Sequence, residues 1–278
     1  MSIFQAIILG VLQGIAEFLP ISSSGHLAVA QKLFGLSDVP LLFDVMLHLA
    51  TLAAVILYFR KKIARLFVIL FRWILRKPIQ TTDETDLLTG TDELGRKTIL
   101  AVIFATVVTG AIGVVTSKLI PEMPVKVTCA GFLFTACLLI FSSLWAKKHD
   151  KPLETKGISI FQALFIGFMQ GVGTLPGVSR SGSTIAGAQL AGVNRAAAGE
   201  FSFIVSIPAI LGAFVLEAKD LGEVGSQIGA LPVFCGCLAA FAWGYLSLSI
   251  LMKLIRKGKL EWFACYLIPL GICGLIFF

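Results

Sequence analysis

Long apolar runs, broken at a few fixed points, dominate the chain. Residues 41–59, 98–117, 126–146, 200–217, 231–252 and 261–278 each approach the ~20 residues a helix needs to cross a bilayer. The runs are continuously apolar rather than alternating, which argues for helices and against a transmembrane β-barrel. Two further apolar stretches stop short. Residues 3–20 are interrupted by Gln13, Glu17 and Pro20, pass into a hydroxyl-rich loop at 21–25, and resume as a short helix at about 26–35 that ends near Gly35. A helix, a polar break and a helix too short to cross predict a re-entrant hairpin. Such irregular backbone survives at membrane depth only where protein or a wet cavity covers it.

Residues 158–193 repeat this design. Ser2-Ile3-Phe4-Gln5-Ala6 matches Ser159-Ile160-Phe161-Gln162-Ala163, Gly10 matches Gly167, Gln13-Gly14 matches Gln170-Gly171, and Ser24-Gly25 matches Ser181-Gly182. Every match falls at one offset, so the chain reads as an internal repeat in one integral membrane domain over 1–278. Repeat 1 spans about 1–147 and repeat 2 about 158–278. Three full spans separate the hairpins, and an odd number inverts the second copy. The expected fold is an all-α polytopic membrane protein with six transmembrane helices plus two re-entrant helix-loop-helix hairpins in an inverted-topology repeat, a transporter-like design. Between the spans, residues 60–77 are basic and amphipathic and read as lying on the membrane surface. Residues 80–95 read as a polar, acidic loop, and 147–151 as a second loop.

Composition agrees, with 57% hydrophobic and 14% charged residues against about 25% charged in soluble domains. The net charge of +7 reflects basic loops and anionic lipid rather than nucleic acid. Apart from Arg180, eighteen Lys and Arg fall at 60–97, 147–156, 195 and 253–259, against Lys32, Lys118, Lys126 and Lys219 on the other side. The positive-inside rule then puts both termini outside, with the first hairpin entering from outside and the second from inside. No basic residue precedes the first apolar run, so it reads as retained rather than as a cleaved signal. The six cysteines all fall in predicted spans without metal-site spacing, and read as packing residues.

Polar groups at membrane depth are costly and mark candidate sites. Gln13 and Glu17, four apart, share a helix face. The carboxylate can hold a divalent cation with the Gln13 amide oxygen assisting, since hard cations take oxygen ligands; it can instead pair with an arginine. Ser22, Ser23 and Ser24 precede a helix, where hydroxyls and free N–H groups form an anion site or simply a cap. His26 beside them suits proton transfer or nucleophilic attack. In the second hairpin, Ser179-Arg180-Ser181-Gly182-Ser183-Thr184 places a guanidinium fork, suited to phosphate oxygens, among hydroxyls. Arg180 can also pair with Glu17 when no substrate is bound. Asp44 and His48 read either as support behind the ligands or as cation ligands, and Arg195 with Glu200 as a membrane-edge pair.

Gln13-Gly-Ile-Ala-Glu17-Phe-Leu-Pro-Ile-Ser-Ser-Ser-Gly-His26 and Pro176-Gly-Val-Ser-Arg180-Ser-Gly-Ser-Thr184 closely resemble the two signatures of the bacterial undecaprenyl-diphosphate phosphatase family, also called the bacitracin-resistance protein family. The resemblance covers essentially the whole chain. It implies hydrolysis of undecaprenyl diphosphate to undecaprenyl phosphate and inorganic phosphate, recycling the lipid carrier of peptidoglycan synthesis and conferring bacitracin resistance. It implies a site facing the periplasm or exterior of the bacterial plasma membrane and a divalent cation, Mg²⁺ or Ca²⁺. Carried over by motif position, Glu17 with Gln13 binds the cation, Ser23 or His26 is nucleophile or proton carrier, and Ser179, Arg180 and Thr184 hold the diphosphate, with Ser22, Ser24 and Ser181 beside them. The partners expected are the lipid substrate and the membrane, no nucleic acid, and a homodimer as the assembly to test. The rival readings are a polyprenyl-phosphate flippase, a metal-free phosphatidic-acid-type phosphatase, which lacks its second histidine here, and a purely structural protein.

Overall fold

Ser2 opens the first helix with a reciprocal cap: its hydroxyl accepts from the Gln5 backbone, and the Gln5 side chain accepts from the Ser2 backbone. Ser159 and Gln162 form the same box at the start of the second hairpin. The repeated sequence therefore makes the same local structure twice. The computed structural model describes residues 1–36, 41–81, 85–119, 124–149, 157–217 and 228–277. Within them lie α1 (Ile3–Phe18), α2 (Ser23–Leu33), α3 (Leu41–Tyr58), α4 (Arg60–Ile74), α5 (Asp92–Leu119), α6 (Val125–Lys148), α7 (Ile160–Val172), α8 (Arg180–Leu190), α9 (Arg195–Glu217), α10 (Ala230–Arg256), a 3₁₀ turn (Leu260–Phe263) and α11 (Ala264–Phe277).

Five of these segments are long and apolar enough to cross a membrane: α5, α6, α9, α10 and the turn with α11. Joining α3 to α4 makes a sixth, bent by 77° at the junction. The fold is an all-α polytopic membrane protein. The bend turns α4, the basic and amphipathic stretch at 60–74, away from the axis of α3, and leaves Phe67, Val68, Phe71 and Ile74 exposed. Such exposure suits lipid rather than water. Several boundaries moved, and α9 starts at Arg195 rather than near 200. Helix α2 begins at Ser23 rather than near His26, because Ser22 already caps it. Helix α5 begins at Asp92, inside the stretch read as a loop. Of the loop expected at 147–151, Lys147 and Lys148 end α6, while Asp150 and Lys151 lie outside the described residues, as does Lys219. Only Cys129 among the cysteines is buried.

The short helices are held by spans from the other half of the chain. α1 packs on α10, and α7 packs on α5. Backbone approaches backbone where Gly10 meets Gly236, a close approach of the kind that joins helices in lipid. The contacts are reciprocal: Ser247 of α10 donates to the Gly14 carbonyl at 2.7 Å, and Thr109 of α5 donates to the Gly167 carbonyl at 2.9 Å. In the middle, Phe18, Phe59 and Phe203 share one apolar cluster with Leu248 and Leu251.

Charges gather at one end. Asp92 is fully buried, bonded to Arg65 at 2.9 Å and Arg72 at 3.0 Å, so α5 is tied to α4. Lys62 bridges Asp86, at 3.0 Å, and Glu200. Burial pushes the Asp86 carboxyl up, but the Leu88 N–H and Lys62 outweigh it and hold it below its usual range. Arg256 also reaches Glu200, at 3.3 Å. Glu200, read from the sequence as a partner of Arg195, takes these two partners from α4 and α10. Five residues along a helix turn a side chain by about 140° from its starting face, so Glu200 points to α4 and α10.

Candidate functional site

Both hairpin breaks are shaped by their own residues. In the first, Pro20 follows α1, and Ser22 takes a left-handed backbone, φ 71°. That conformation is strained for a residue with a side chain. Its carbonyl accepts from His26 Nδ1 at 2.8 Å, and its hydroxyl accepts from Gly25 N at 3.4 Å. In the second, Gly177 has φ 77°. Ser179 caps α8, accepting from Gly182 N at 3.1 Å, and donates its own N–H to Thr135 of α6 at 3.0 Å. Ser22 and Ser179 are equivalent positions of the repeat, and each is the cap of its short helix.

The breaks meet through an ion pair between Glu17 and Arg180. Glu17 is 7% exposed and is surrounded by donors. Besides Arg180, Ser23 Oγ donates to its Oε2 at 2.7 Å, and Gln13 Nε2 donates to the same oxygen at 3.1 Å. Gln13 Nε2 also bonds His48 Nδ1, and His48 lies 3.8 Å from the carboxylate. A cavity of about 160 Å³ opens beside the pair, lined by Glu17, Ser22, Ser23, Ser24, His48, Thr174, Ser179 and Arg180. A guanidinium, four hydroxyls from Ser22–Ser24 and Ser179, and helix N-termini facing one wet space suit an anion with several oxygens.

Behind the ion pair lies a much smaller space, about 10 Å³ and room for one water, lined by Gln170, Ser181, Thr184, Ser202 and Ser206.

Residues 6–273 match the family described as bacitracin resistance protein BacA. The chain belongs to this family. Among its relatives, the undecaprenyl-diphosphatase of Treponema denticola is 48% identical over 100% of this chain and 98% of its own length. Those of Carboxydothermus hydrogenoformans and Methanobrevibacter smithii are each 37% identical, over 99% and 98% of this chain and 97% and 96% of their own. The matched range contains both stretches, 13–26 and 176–184.

The structure places the motif residues of this BacA-family chain unequally. Glu17, Ser22, Ser23, Ser24, Ser179 and Arg180 line one cavity. Ser181 and Thr184 line the small space behind Arg180, where Thr184 Oγ1 donates to the Arg180 carbonyl at 2.7 Å. His26 is buried outside the cavity, its ring against Phe132 and Tyr266 and its Nε2 2.8 Å from the Tyr266 hydroxyl. Asp44 is also away from Glu17, bonded to Gln31 at 2.9 Å. His48 enters the cavity from α3 instead. Thr174, which the sequence reading passed over, stands at the repeat position of Glu17, and aligning the two copies one residue at a time would have exposed it.

Glu17 is the one carboxylate among the described residues that line the cavity. Among the described residues no three His, Cys, Asp or Glu side chains gather as a metal cluster. Gln13 turns its nitrogen to Glu17, and its Oε1 is buried without a partner. The donor set thus offers a divalent cation one carboxylate, which suffices where substrate phosphates supply further oxygens.

Proposed function

We propose that this chain hydrolyses undecaprenyl diphosphate to undecaprenyl phosphate and inorganic phosphate, on the surface built by the two breaks. The observation that carries it is the Glu17–Arg180 ion pair with Ser23 donating to Glu17, beside a wet, hydroxyl-lined cavity. Names of the relatives and the family match support the same reaction. In the resting site Arg180 and Glu17 satisfy each other. An incoming diphosphate draws Arg180 onto its oxygens. Glu17 is then free to accept the Ser23 proton while Ser23 Oγ attacks the terminal phosphorus. The bond from that phosphorus to the bridging oxygen breaks, and undecaprenyl phosphate leaves. Water next cleaves the phosphoserine to release phosphate. His26 acts on the break rather than on phosphorus, by holding the Ser22 carbonyl.

A divalent cation, Mg²⁺ or Ca²⁺, belongs to the proposal as charge stabilisation supplied with the diphosphate, and Glu17 is the residue that would hold it. Gln13 orients Glu17 through its amide nitrogen. Gln13→Glu puts a second carboxylate beside the first, so the Mg²⁺ concentration for half-maximal phosphate release is expected to fall several-fold. An unchanged Mg²⁺ curve would place Gln13 away from the cation.

The cavity is proposed to face the exterior of the plasma membrane. Thr116, in α5, approaches Thr174 at 3.4 Å, about 36 Å along the helix from Asp92 at 1.5 Å per residue. Asp92 sits in the basic cluster that the positive-inside rule assigns to the cytoplasm.

Purified protein in detergent is expected to release phosphate from undecaprenyl diphosphate and to carry label from ³²P-diphosphate on Ser23. Ser23→Ala is expected to lose both, by about 10³-fold in rate. Label on His26, or turnover undiminished in Ser23→Ala, would exclude the serine route; no phosphate release by wild type would exclude the reaction.

A further inference from the structure

Gln13 fixes the state of a histidine that no motif names. Its amide nitrogen must face Glu17, because an amide oxygen would meet an ionised carboxylate with no hydrogen between them. One N–H goes to Glu17 Oε2, at 3.1 Å, and the other to His48 Nδ1. His48 Nδ1 is therefore an acceptor, and in the neutral ring the hydrogen sits on Nε2. The His48 side chain is 29% exposed, and His48 lines the same cavity as Arg180 and the serines.

We propose that His48 is a substrate-binding residue: with Nδ1 anchored on Gln13, its Nε2–H donates to a non-bridging oxygen of the diphosphate. The assignment rests on the phosphatase reading above and adds a second nitrogen donor to the cavity, besides Arg180. The helix α3 supplies it, so diphosphate recognition extends beyond the two repeated breaks. The anchoring chain Glu17–Gln13–His48 holds the ring in place before substrate arrives, which spares the cost of ordering it during binding.

The test separates the two ring nitrogens. His48→Gln keeps a donor near the Nε2 position, whereas His48→Asn keeps a group near Nδ1 and loses the outer donor. A hydrogen bond to a charged oxygen corresponds to roughly 10-fold or more in binding. His48→Asn and His48→Ala are expected to raise KM for undecaprenyl diphosphate about 10-fold, with kcat changed less than KM, and His48→Gln to stay within about 3-fold of wild type. The same order is expected in calorimetric affinity for a non-hydrolysable methylene-bisphosphonate analogue of the prenyl diphosphate, which needs no turnover. If Gln and Asn lose equally, or if analogue affinity is unchanged while kcat falls, His48 only supports Gln13 and the proposal is overturned. If wild type binds the analogue but hydrolyses nothing, the phosphatase reading fails, while the ranking of the three variants still decides His48.

Discussion

Arg180→Ala is expected to lower kcat/KM by at least ~10³-fold, which corresponds to about 4 kcal/mol of transition-state stabilisation. Among the described residues the guanidinium is the one Lys or Arg group lining the cavity, and it reaches Glu17 across the two breaks. Charge spreads over the equatorial oxygens during phosphoryl transfer, and a planar fork in a shielded space opposes it far better than water does. Arg180→Lys keeps a charge but not the fork, so it is expected to recover only part of the loss. The substitution also acts on stability. Glu17, its side chain 4% exposed, would keep a buried charge with only Ser23 and Gln13 as donors. Breaking a buried pair from one side costs ~3–5 kcal/mol, and the 23% exposure of Arg180 pulls the expectation to the lower end. The two effects separate in the double variant Glu17→Gln with Arg180→Gln. Melting in detergent should return close to wild type, because no unpaired charge remains, while phosphate release stays lost. Activity restored along with stability would show that Arg180 only braces the fold.

What could be read from the chain divides along sequence distance. Local features were legible. The matched starts at Ser2–Ala6 and Ser159–Ala163, the break after Pro20, and the amphipathic stretch at 60–77 depend on neighbouring residues. The pairing of Glu17 with Arg180 was legible as an alternative to substrate binding, because two opposite charges at membrane depth must compensate each other. Rotation about a helix was harder to read. Arg180, Ser181 and Thr184 share one motif, yet the long arginine reaches forward to Glu17 while the Thr184 hydroxyl turns back to the Arg180 carbonyl. His26 sits beside the serines in sequence, but the turn of α2 sends its ring toward Phe132 and Tyr266. His48 is 35 residues from Gln13, and only the packing of α3 on α1 brings them together. The repeat itself shows how one scaffold carries two chemistries. Glu17 and Ser23 in the first copy stand where Thr174 and Arg180 stand in the second. The cavity takes its carboxylate, Glu17, from the first copy and its guanidinium, Arg180, from the second.

Gly177→Ala is expected to be the most damaging single methyl in the chain. Two independent costs coincide there. The backbone has φ 77°, which disfavours any residue with a Cβ by about 1 kcal/mol or more. The added Cβ would also fall on the Thr128 carbonyl of α6. A carbonyl inside a helix cannot step aside as a flexible side chain would, so the break itself must move, and overpacking of this kind costs ~1–3 kcal/mol or more. Moving the break pulls on the Ser179 N–H that is fixed to Thr135 at 3.0 Å, and Arg180 follows directly. Loss of melting temperature and of activity are therefore expected together. Gly192→Ala is the control, since it has φ 81° but an open space where its Cβ would go. It carries the backbone cost alone, about 1 kcal/mol, and lies at the far end of α8 from Arg180. A Gly177→Ala protein that melts and turns over like Gly192→Ala would mean that α6 does not clamp the second break. A protein that melts much lower and releases little phosphate would tie the reach of Arg180 to the close contact at Thr128.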